Sequence, residues 1–170
     1  MSNLAARASL ERAKRLFLEK PAAAKTCNAR ATAVWRDGLS CEVSGPGSER
    51  AITDMPEPLG GKAEGCNPGW LLRAGIASCA ATVIAMRAAM QGIALNTLEV
   101  KVDSESDARG LVGIGDAPTA LGNLRMSVKI GADGVPEAQL RELAAWGEAT
   151  SPVSCTLRAR PPVALDVLVV

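Results

Sequence analysis

The sequence contains no histidine and very few aromatic residues. Of its 170 residues, the aromatic ones are Phe17, Trp35, Trp70 and Trp146. Without histidine, Ser-His-Asp and Cys-His nucleophile pairs, histidine metal sites and histidine proton transfer are excluded. Four aromatic rings are also too few to form a series of stacking platforms for bases or sugars.

An excess of charge of either sign is missing as well. The chain has 19 Lys and Arg against 18 Asp and Glu, and the formal charge is +1. Because no run of like charge occurs, nothing favours a nucleic-acid backbone or an acidic membrane surface as partner. Hydrophobic residues make up 48% and charged residues 22%, which is typical of a folded globular domain. We therefore expect neither a nucleic-acid nor a membrane partner.

The cysteines indicate the compartment. Five of them are scattered along the chain, with no CxxC pair: Cys27, Cys41, Cys66, Cys79 and Cys155. In the absence of a secretory apolar segment, we predict reduced thiols in a cytoplasmic protein. The basic start of the chain could suggest an organelle transit peptide, but Glu11 and Glu19 fit a surface helix better.

The patterns of apolar residues predict an α+β domain. Residues 1–24 read as an N-terminal helix and a linker, and residues 25–170 as the main domain. Within the main domain, alternating segments and helical stripes follow the order β-β-β-α-β-β-α-β. The last strand is the apolar segment Val163 to Val170.

A long central helix is predicted after the third strand. Asn67 is a good N-cap, Pro68 a good first helical residue, and Gly92 ends the helix. Its uncharged run, residues 74–86, is too short to cross a bilayer of about 30 Å, so we expect a buried helix. An apolar stripe follows one face: Leu72, Ile76, Cys79, Val83, Met86 and Met90.

Cys79 on this stripe has two interpretations. A free cysteine behaves as a small hydrophobe, and periodicity alone favours a packing role. A reactive thiol needs a nearby cation, because an ordinary thiol with a pKa of about 8.5 is mostly protonated at neutral pH. Cys79 lies about 16 Å from the predicted helix start, where the helix dipole has little effect. Without histidine, only Arg or Lys remains to activate it.

The segment from Asn67 to Cys79, NPGWLLRAGIASC, resembles the Asn-Pro-x-x-Leu…Ala-Cys helix of the OsmC/Ohr family. These are the osmotically induced and organic-hydroperoxide-resistance proteins. The helix exit, residues 87–92, and the following strand, residues 98–102, are similar too, as are Ser151-Pro152-Val153 and Pro162-Val163. The resemblance covers roughly residues 28–170.

This resemblance implies a fold, an assembly and a mechanism. The fold would be an OsmC-like, intertwined homodimer whose strands form shared sheets around two central helices. Cys79 would be the thiolate that attacks a hydroperoxide, and Arg36, in the family's Arg-x-Gly turn, would activate it. The resemblance implies neither a cofactor nor a metal.

Two positions depart from the family pattern. The acid that follows the helix-start proline is Gly69 here, and Glu64 is a candidate substitute. The cysteine that precedes Pro-Val is Ser151, whereas Cys155 lies four residues later. Cys155, Cys66 or an external thiol could each resolve an oxidised Cys79.

The leading hypothesis is a thiol-dependent peroxidase for oxidative-stress defence. Cys79 would reduce organic hydroperoxides and become a sulfenic acid, with an external thiol as the reductant. The alternative is a non-enzymatic dimeric module that binds a small apolar ligand and uses Cys79 as a lining residue.

Overall fold

The computed structural model describes residues 3–170, so Met1 and Ser2 of the expected N-terminal helix lie outside the described residues. The helices and strands are, in chain order, α1 (Asn3–Glu19), β1 (Thr32–Asp37), β2 (Ser40–Ser44), β3 (Arg50–Thr53), α2 (Pro68–Met90), β4 (Leu95–Glu105), α3 (Ala108–Leu111), β5 (Gly122–Ala132), α4 (Glu137–Thr150) and α5 (Pro152–Ala159). Short 3₁₀ turns lie at Pro21–Ala24 and Glu57–Leu59.

The chain folds as two compact units. The first contains Ile76–Lys101, Ser127–Val170 and the start of α1 up to Arg7. The second contains Ala8–Gly75 and Val102–Met126. Helix α2 and strands β4 and β5 contribute to both units. The sequence-based division into residues 1–24 and 25–170 stays a prediction.

The core of the first unit forms between α2, α4 and the two-stranded sheet of β4 and β5. Ile84, Ala88, Ile93 and Leu143 are its buried centre. Alternate residues of the two strands pack against that centre, as expected of a sheet with one covered face: Leu98, Val100, Val128 and Ile130.

The second unit contains an antiparallel sheet with the strand order β1-β2-β3. Cys41 of β2 is in register with Thr53 of β3, and Thr53 makes a bridge with Cys66 on its other side. The sheet is therefore extended by one residue of the loop that leads into α2. All of β1 is exposed, so this strand forms one edge of the sheet.

The buried face of α2 differs from the expected one. Ile76, Ala80, Ile84 and Ala88 are buried, whereas Leu72 and Met86 are 37% and 42% exposed. Alanine and isoleucine alternate along this face at steps of four residues, and the small alanines allow close packing. The buried face is thus turned by about one residue from the expected apolar stripe. Within residues 3–170, α2 is therefore buried on one face, and the expectation of a buried helix stays a prediction.

Length and composition alone would allow α2 to cross a membrane, and among residues 3–170 it is the one helix of that kind. Only 17% of its most apolar window is buried within the chain. The expectation of no membrane partner therefore stays a prediction.

The final strand expected at Val163–Val170 is not formed. No helix or strand follows α5 in the described chain, and Val163, Leu168 and Val170 are almost fully exposed. A strand needs a hydrogen-bonded neighbour, and within residues 3–170 this segment has none. The α+β class and the earlier order β-β-β-α-β-β-α are confirmed, and α1 is the expected N-terminal helix. The short helices α3 and α5 are additional to that order.

Candidate functional site

Arg36 lies at a β-bulge. The register of β1 and β2 pairs Trp35 with Cys41 and then Asp37 with Ser40, so Arg36 has no partner residue on β2. A bulge leaves one residue unpaired, bends the strand and redirects a side chain. The Arg36 side chain is exposed, and among residues 3–170 it has no hydrogen-bond or ion-pair partner.

Both neighbours of Arg36 are held in place. The indole Nε1–H of Trp35 donates a hydrogen bond of 3.0 Å to the carbonyl of Gly38 across the turn. The carboxylate of Asp37 accepts a hydrogen bond of 2.8 Å from the Lys62 ammonium and raises the pKa of Lys62. Gly38 has a φ of +53°, which favours glycine at this tight turn. The bulge thus presents an unpaired cation between two constrained residues.

Cys79 lies near the middle of α2 as a half-buried thiol. It is next to Ala80, which is on the buried face of α2. Cys79 itself is on the same helix stripe as Leu72 and Met86, which are partly exposed. Its surroundings along the helix are apolar, and its sulfur is free. Cys79 belongs to the first unit and Arg36 to the second, so their partnership stays a prediction.

Cys155 is an exposed thiol on α5. Its Sγ donates to the carbonyl of Ala149 at 3.3 Å and accepts from Nη2 of Arg158, also at 3.3 Å. Arg158 in turn pairs with Glu148. The contacts with Cys155 and Glu148 raise the pKa of Arg158, so a fixed positive charge lies against this thiol.

Arg158 was not predicted from the sequence. The sequence feature that points to Arg158 is its spacing of three residues from Cys155, which places the two side chains on one face of a helix. Ser151, which stands where the resemblance puts the second cysteine, is completely buried. Its hydroxyl has no hydrogen-bond partner among the described residues.

Asn67 caps α2 as expected, since its Oδ1 accepts from the N–H of Gly69 at 2.8 Å. At Gly69 the family acid is absent, and the carboxylate of Glu64 lies 4.0 Å from the ammonium of Lys62. The substitution of the family acid by Glu64 therefore stays a prediction.

Asp54 is a second residue that was not predicted from the sequence. It is 2% exposed, and its carboxylate accepts hydrogen bonds from the backbone N–H groups of Met55, Lys62 and Glu64. Burial disfavours the charged form, but these three hydrogen bonds and the Lys62 charge outweigh it, so the pKa of Asp54 is lowered. The sequence feature that points to Asp54 is its position as an acid immediately before a Pro- and Gly-rich loop.

Cys66 is half-buried, and its Sγ donates to the carbonyl of Ile52. Thr53 lies between Cys66 and Cys41 in the sheet. Two strand spacings amount to roughly 10 Å, beyond the separation of about 7 Å that a disulfide allows, so these two thiols do not form a bridge. In the part of the chain that the structure describes, no cluster of three or more His, Cys, Asp or Glu could hold a metal ion.

Residues 61–166, more than half of the chain, match the family model of OsmC-like protein. The chain belongs to the OsmC-like protein family. The matched region of this OsmC-like chain contains Cys79 and Cys155, whereas Arg36 lies before it.

Solved structures of OsmC-like proteins have the same fold. An organic hydroperoxide resistance protein OsmC from Legionella pneumophila is 23% identical, with a TM-score of 0.59 over 79% of this chain and 91% of its own. An OsmC-like protein from Mycoplasma pneumoniae is 19% identical, with a TM-score of 0.66 over 79% and 89%. An osmotic stress and detoxification response protein from Psychrobacter arcticus, so described provisionally, is 20% identical, with a TM-score of 0.62 over 78% and 90%. The comparison with curated proteins finds no match.

Proposed function

We propose that this OsmC-like protein is a thiol-dependent peroxidase that reduces organic hydroperoxides in the cytoplasm. The observation that carries the proposal is the placement of Cys79, a free, half-buried thiol on an apolar helix face that the chain leaves partly uncovered. The chain shares its fold with a protein described as an organic hydroperoxide resistance protein, to which it is 23% identical. Five free thiols fit a reducing compartment.

The reaction begins at the Cys79 sulfur. The thiolate attacks the terminal oxygen of the hydroperoxide, an S–O bond forms and the O–O bond breaks. The two electrons come from sulfur, which becomes a sulfenic acid, and the alkoxide takes a proton to leave as an alcohol. The apolar side chains around Cys79 favour hydroperoxides with fatty or aryl groups.

Arg36 is the cation that we assign to this step. Its guanidinium would stabilise the thiolate and the negative charge on the leaving oxygen. Arg36 is free for this role because the adjacent carboxylate of Asp37 is already paired with Lys62. An arginine is charged at every relevant pH, so it can do this without histidine.

The sulfenic acid would then be resolved by Cys155. The Cys155 thiolate attacks the Cys79 sulfur, a disulfide forms and hydroxide leaves as water after protonation. Arg158, 3.3 Å from the Cys155 sulfur, would stabilise that thiolate. An external dithiol reduces the disulfide and closes the cycle; Cys66 and a direct attack by the external thiol remain the alternatives.

The active protein would be a homodimer. Large apolar side chains are exposed on α2 and on the edge strand β1, including Trp35, Trp70 and Met86. The apolar segment Val163–Val170 lacks a strand partner within the described chain. A second copy could cover the helix face and supply the missing strand neighbour.

Trapping of the sulfenic acid tests the proposal. Reduced protein is mixed with one equivalent of cumene hydroperoxide and dimedone, and the labelled peptide is identified by mass spectrometry. We expect the label on Cys79 in a Cys155→Ser variant, where the sulfenic acid cannot be resolved internally. Labelling of other cysteines alone would contradict the proposal.

A second function, binding of a small apolar ligand without chemistry, is favoured by one cavity. A cavity of about 290 Å³ lies against the β1-β2-β3 sheet of the second unit, lined mainly by small and apolar side chains that include Val43, Pro46 and Leu71. Cys79, expected to line the ligand pocket, is not among the residues that line this cavity. A fluorescent fatty acid that binds there in wild type and in Cys79→Ser, with no dimedone adduct at Cys79, would support this alternative.

A further inference from the structure

The loop between β3 and α2 is built around a buried charge. The Oδ1 of Asp54 accepts the N–H of Met55 at 2.7 Å, and its Oδ2 accepts the N–H groups of Lys62 at 2.9 Å and Glu64 at 3.2 Å. Gly61 leaves no room for a side chain, since a Cβ there would lie 1.8 Å from the carbonyl oxygen of Met55. The backbone of Lys62 is therefore held in one place.

From this fixed backbone, the Lys62 side chain extends to the β1–β2 turn that follows Arg36. Its ammonium lies 2.8 Å from the carboxylate of Asp37, which is 25 residues earlier in the sequence. Gly60 lies near the same turn, because a Cβ there would be 3.8 Å from Leu39. The loop thus contacts the hairpin next to Arg36 through this ion pair.

Arg36 itself depends on its neighbours for orientation. It makes no hydrogen bond or ion pair within residues 3–170, so no partner fixes its guanidinium. The direction of the Arg36 side chain follows from the bulge. Of the two residues beside Arg36, Trp35 is hydrogen-bonded to Gly38 and Asp37 is paired with Lys62. The ion pair with Lys62 also engages the carboxylate of Asp37, the residue that follows Arg36.

We propose that Lys62 is a positioning residue for Arg36, acting through its ion pair with Asp37. This inference rests on the proposed function, in which Arg36 stabilises the Cys79 thiolate and the leaving oxygen. Lys62 keeps the end of the bulge in place and prevents Asp37 from neutralising Arg36. It contacts neither substrate nor sulfur in this role.

The Lys62→Met substitution removes the charge and keeps most of the stem. Because the two side chains are 59% and 61% exposed, we expect kcat/KM for cumene hydroperoxide to fall about two- to fivefold. Lys62→Arg should restore it. Lys101→Met is the matched control, since Lys101 is a similarly exposed lysine that pairs with Glu99 at 3.3 Å. Its kcat/KM should equal that of wild type.

A double-mutant cycle with Arg36→Ala separates positioning from a general structural effect. If Lys62 acts through Arg36, Lys62→Met has no further effect on kcat/KM or on the rate of Cys79 alkylation by iodoacetamide in the Arg36→Ala background. The same loss in both backgrounds, or no loss in either, overturns the inference while the peroxidase proposal stands. If Arg36→Ala reacts like wild type in both assays, the role of Arg36 in the proposed function fails first and Lys62 loses its positioning role.

Discussion

Gly147 of α4 packs directly against Ile84 of α2, and a Cβ at Gly147 would lie 2.2 Å from Ile84 Cγ1. Ile84 is completely buried, and Leu143, one turn before Gly147, is 2% exposed. The absence of a side chain at Gly147 therefore allows α4 to approach the helix that bears Cys79. Glycine inside a helix is intrinsically unfavourable, so close packing is its physical reason here.

We expect Gly147→Ala to lower the free energy of unfolding by about 1–3 kcal/mol, because the added methyl group overpacks the core. Gly75→Ala in α2 is the control, since nothing lies within 4 Å of a Cβ there. That change should be neutral or stabilise by about 0.5–1 kcal/mol. Urea unfolding at one fixed protein concentration measures both. Equal effects of the two variants would contradict the packing of α4 against α2.

Arg36→Ala should slow both hydroperoxide turnover and alkylation of Cys79 at neutral pH, by about tenfold or more. Arg36→Lys should recover only part of the rate, because an ammonium lacks the planar guanidinium geometry. Arg30→Ala removes another exposed arginine of the same segment and should react like wild type. An Arg36→Ala variant as fast as wild type would show that another group activates the thiol.

Cys155→Ser should abolish the intramolecular disulfide that forms after one equivalent of hydroperoxide. The expected product in this variant is an accumulated sulfenic acid at Cys79, detected by mass spectrometry of the intact protein. Cys41→Ser is the control and should leave the disulfide yield unchanged. If Cys155→Ser gives the wild-type yield of disulfide, Cys155 is not the resolving cysteine and Cys66 is tested next.

The contribution of Asp54 to stability should disappear in acid. Its pKa in the folded protein is lowered from 3.8, so the carboxylate stabilises the fold fully above that value. The contribution is lost as the pH falls further, through the lowered folded pKa. The urea midpoint of wild type should exceed that of Asp54→Asn at neutral pH, and the difference should shrink below about pH 4. A difference that does not change with pH would contradict an ionised Asp54.

Removal of residues 163–170 should weaken the proposed dimer. The segment is apolar and almost fully exposed within the chain, so its loss costs the single chain little buried surface. Analytical ultracentrifugation should show a dimer for the full chain and dissociation or aggregation for the shortened one. The helical circular-dichroism signal of the shortened chain should be retained. An unchanged dimer would exclude this segment from the interface.

The sequence predicted local features better than distant ones. The Asn67 cap and the start of α2 follow from short-range chemistry and are confirmed. The buried face of α2 was misplaced because large apolar residues were weighted above alanines, although Ala80 and Ala88 make the close contacts. The strand expected at Val163–Val170 has no strand neighbour among the described residues, which apolar periodicity cannot reveal.

The surroundings of Arg36 depend on contacts that no local pattern contains. The bulge results from the register of two strands, and a single sequence does not determine that register. The pair of Lys62 and Asp37 joins residues 25 positions apart. By contrast, Cys79 and Arg36 could be selected as candidates because the resemblance to OsmC proteins named their positions.

The central claim is that Cys79 performs the chemistry, and consumption of hydroperoxide tests it most directly. Reduced wild type and Cys79→Ser are compared with cumene hydroperoxide and with hydrogen peroxide, in the presence of a dithiol reductant. We expect turnover by wild type, faster with cumene hydroperoxide, and complete loss in Cys79→Ser. Absence of turnover in wild type, or equal turnover in the variant, would contradict it.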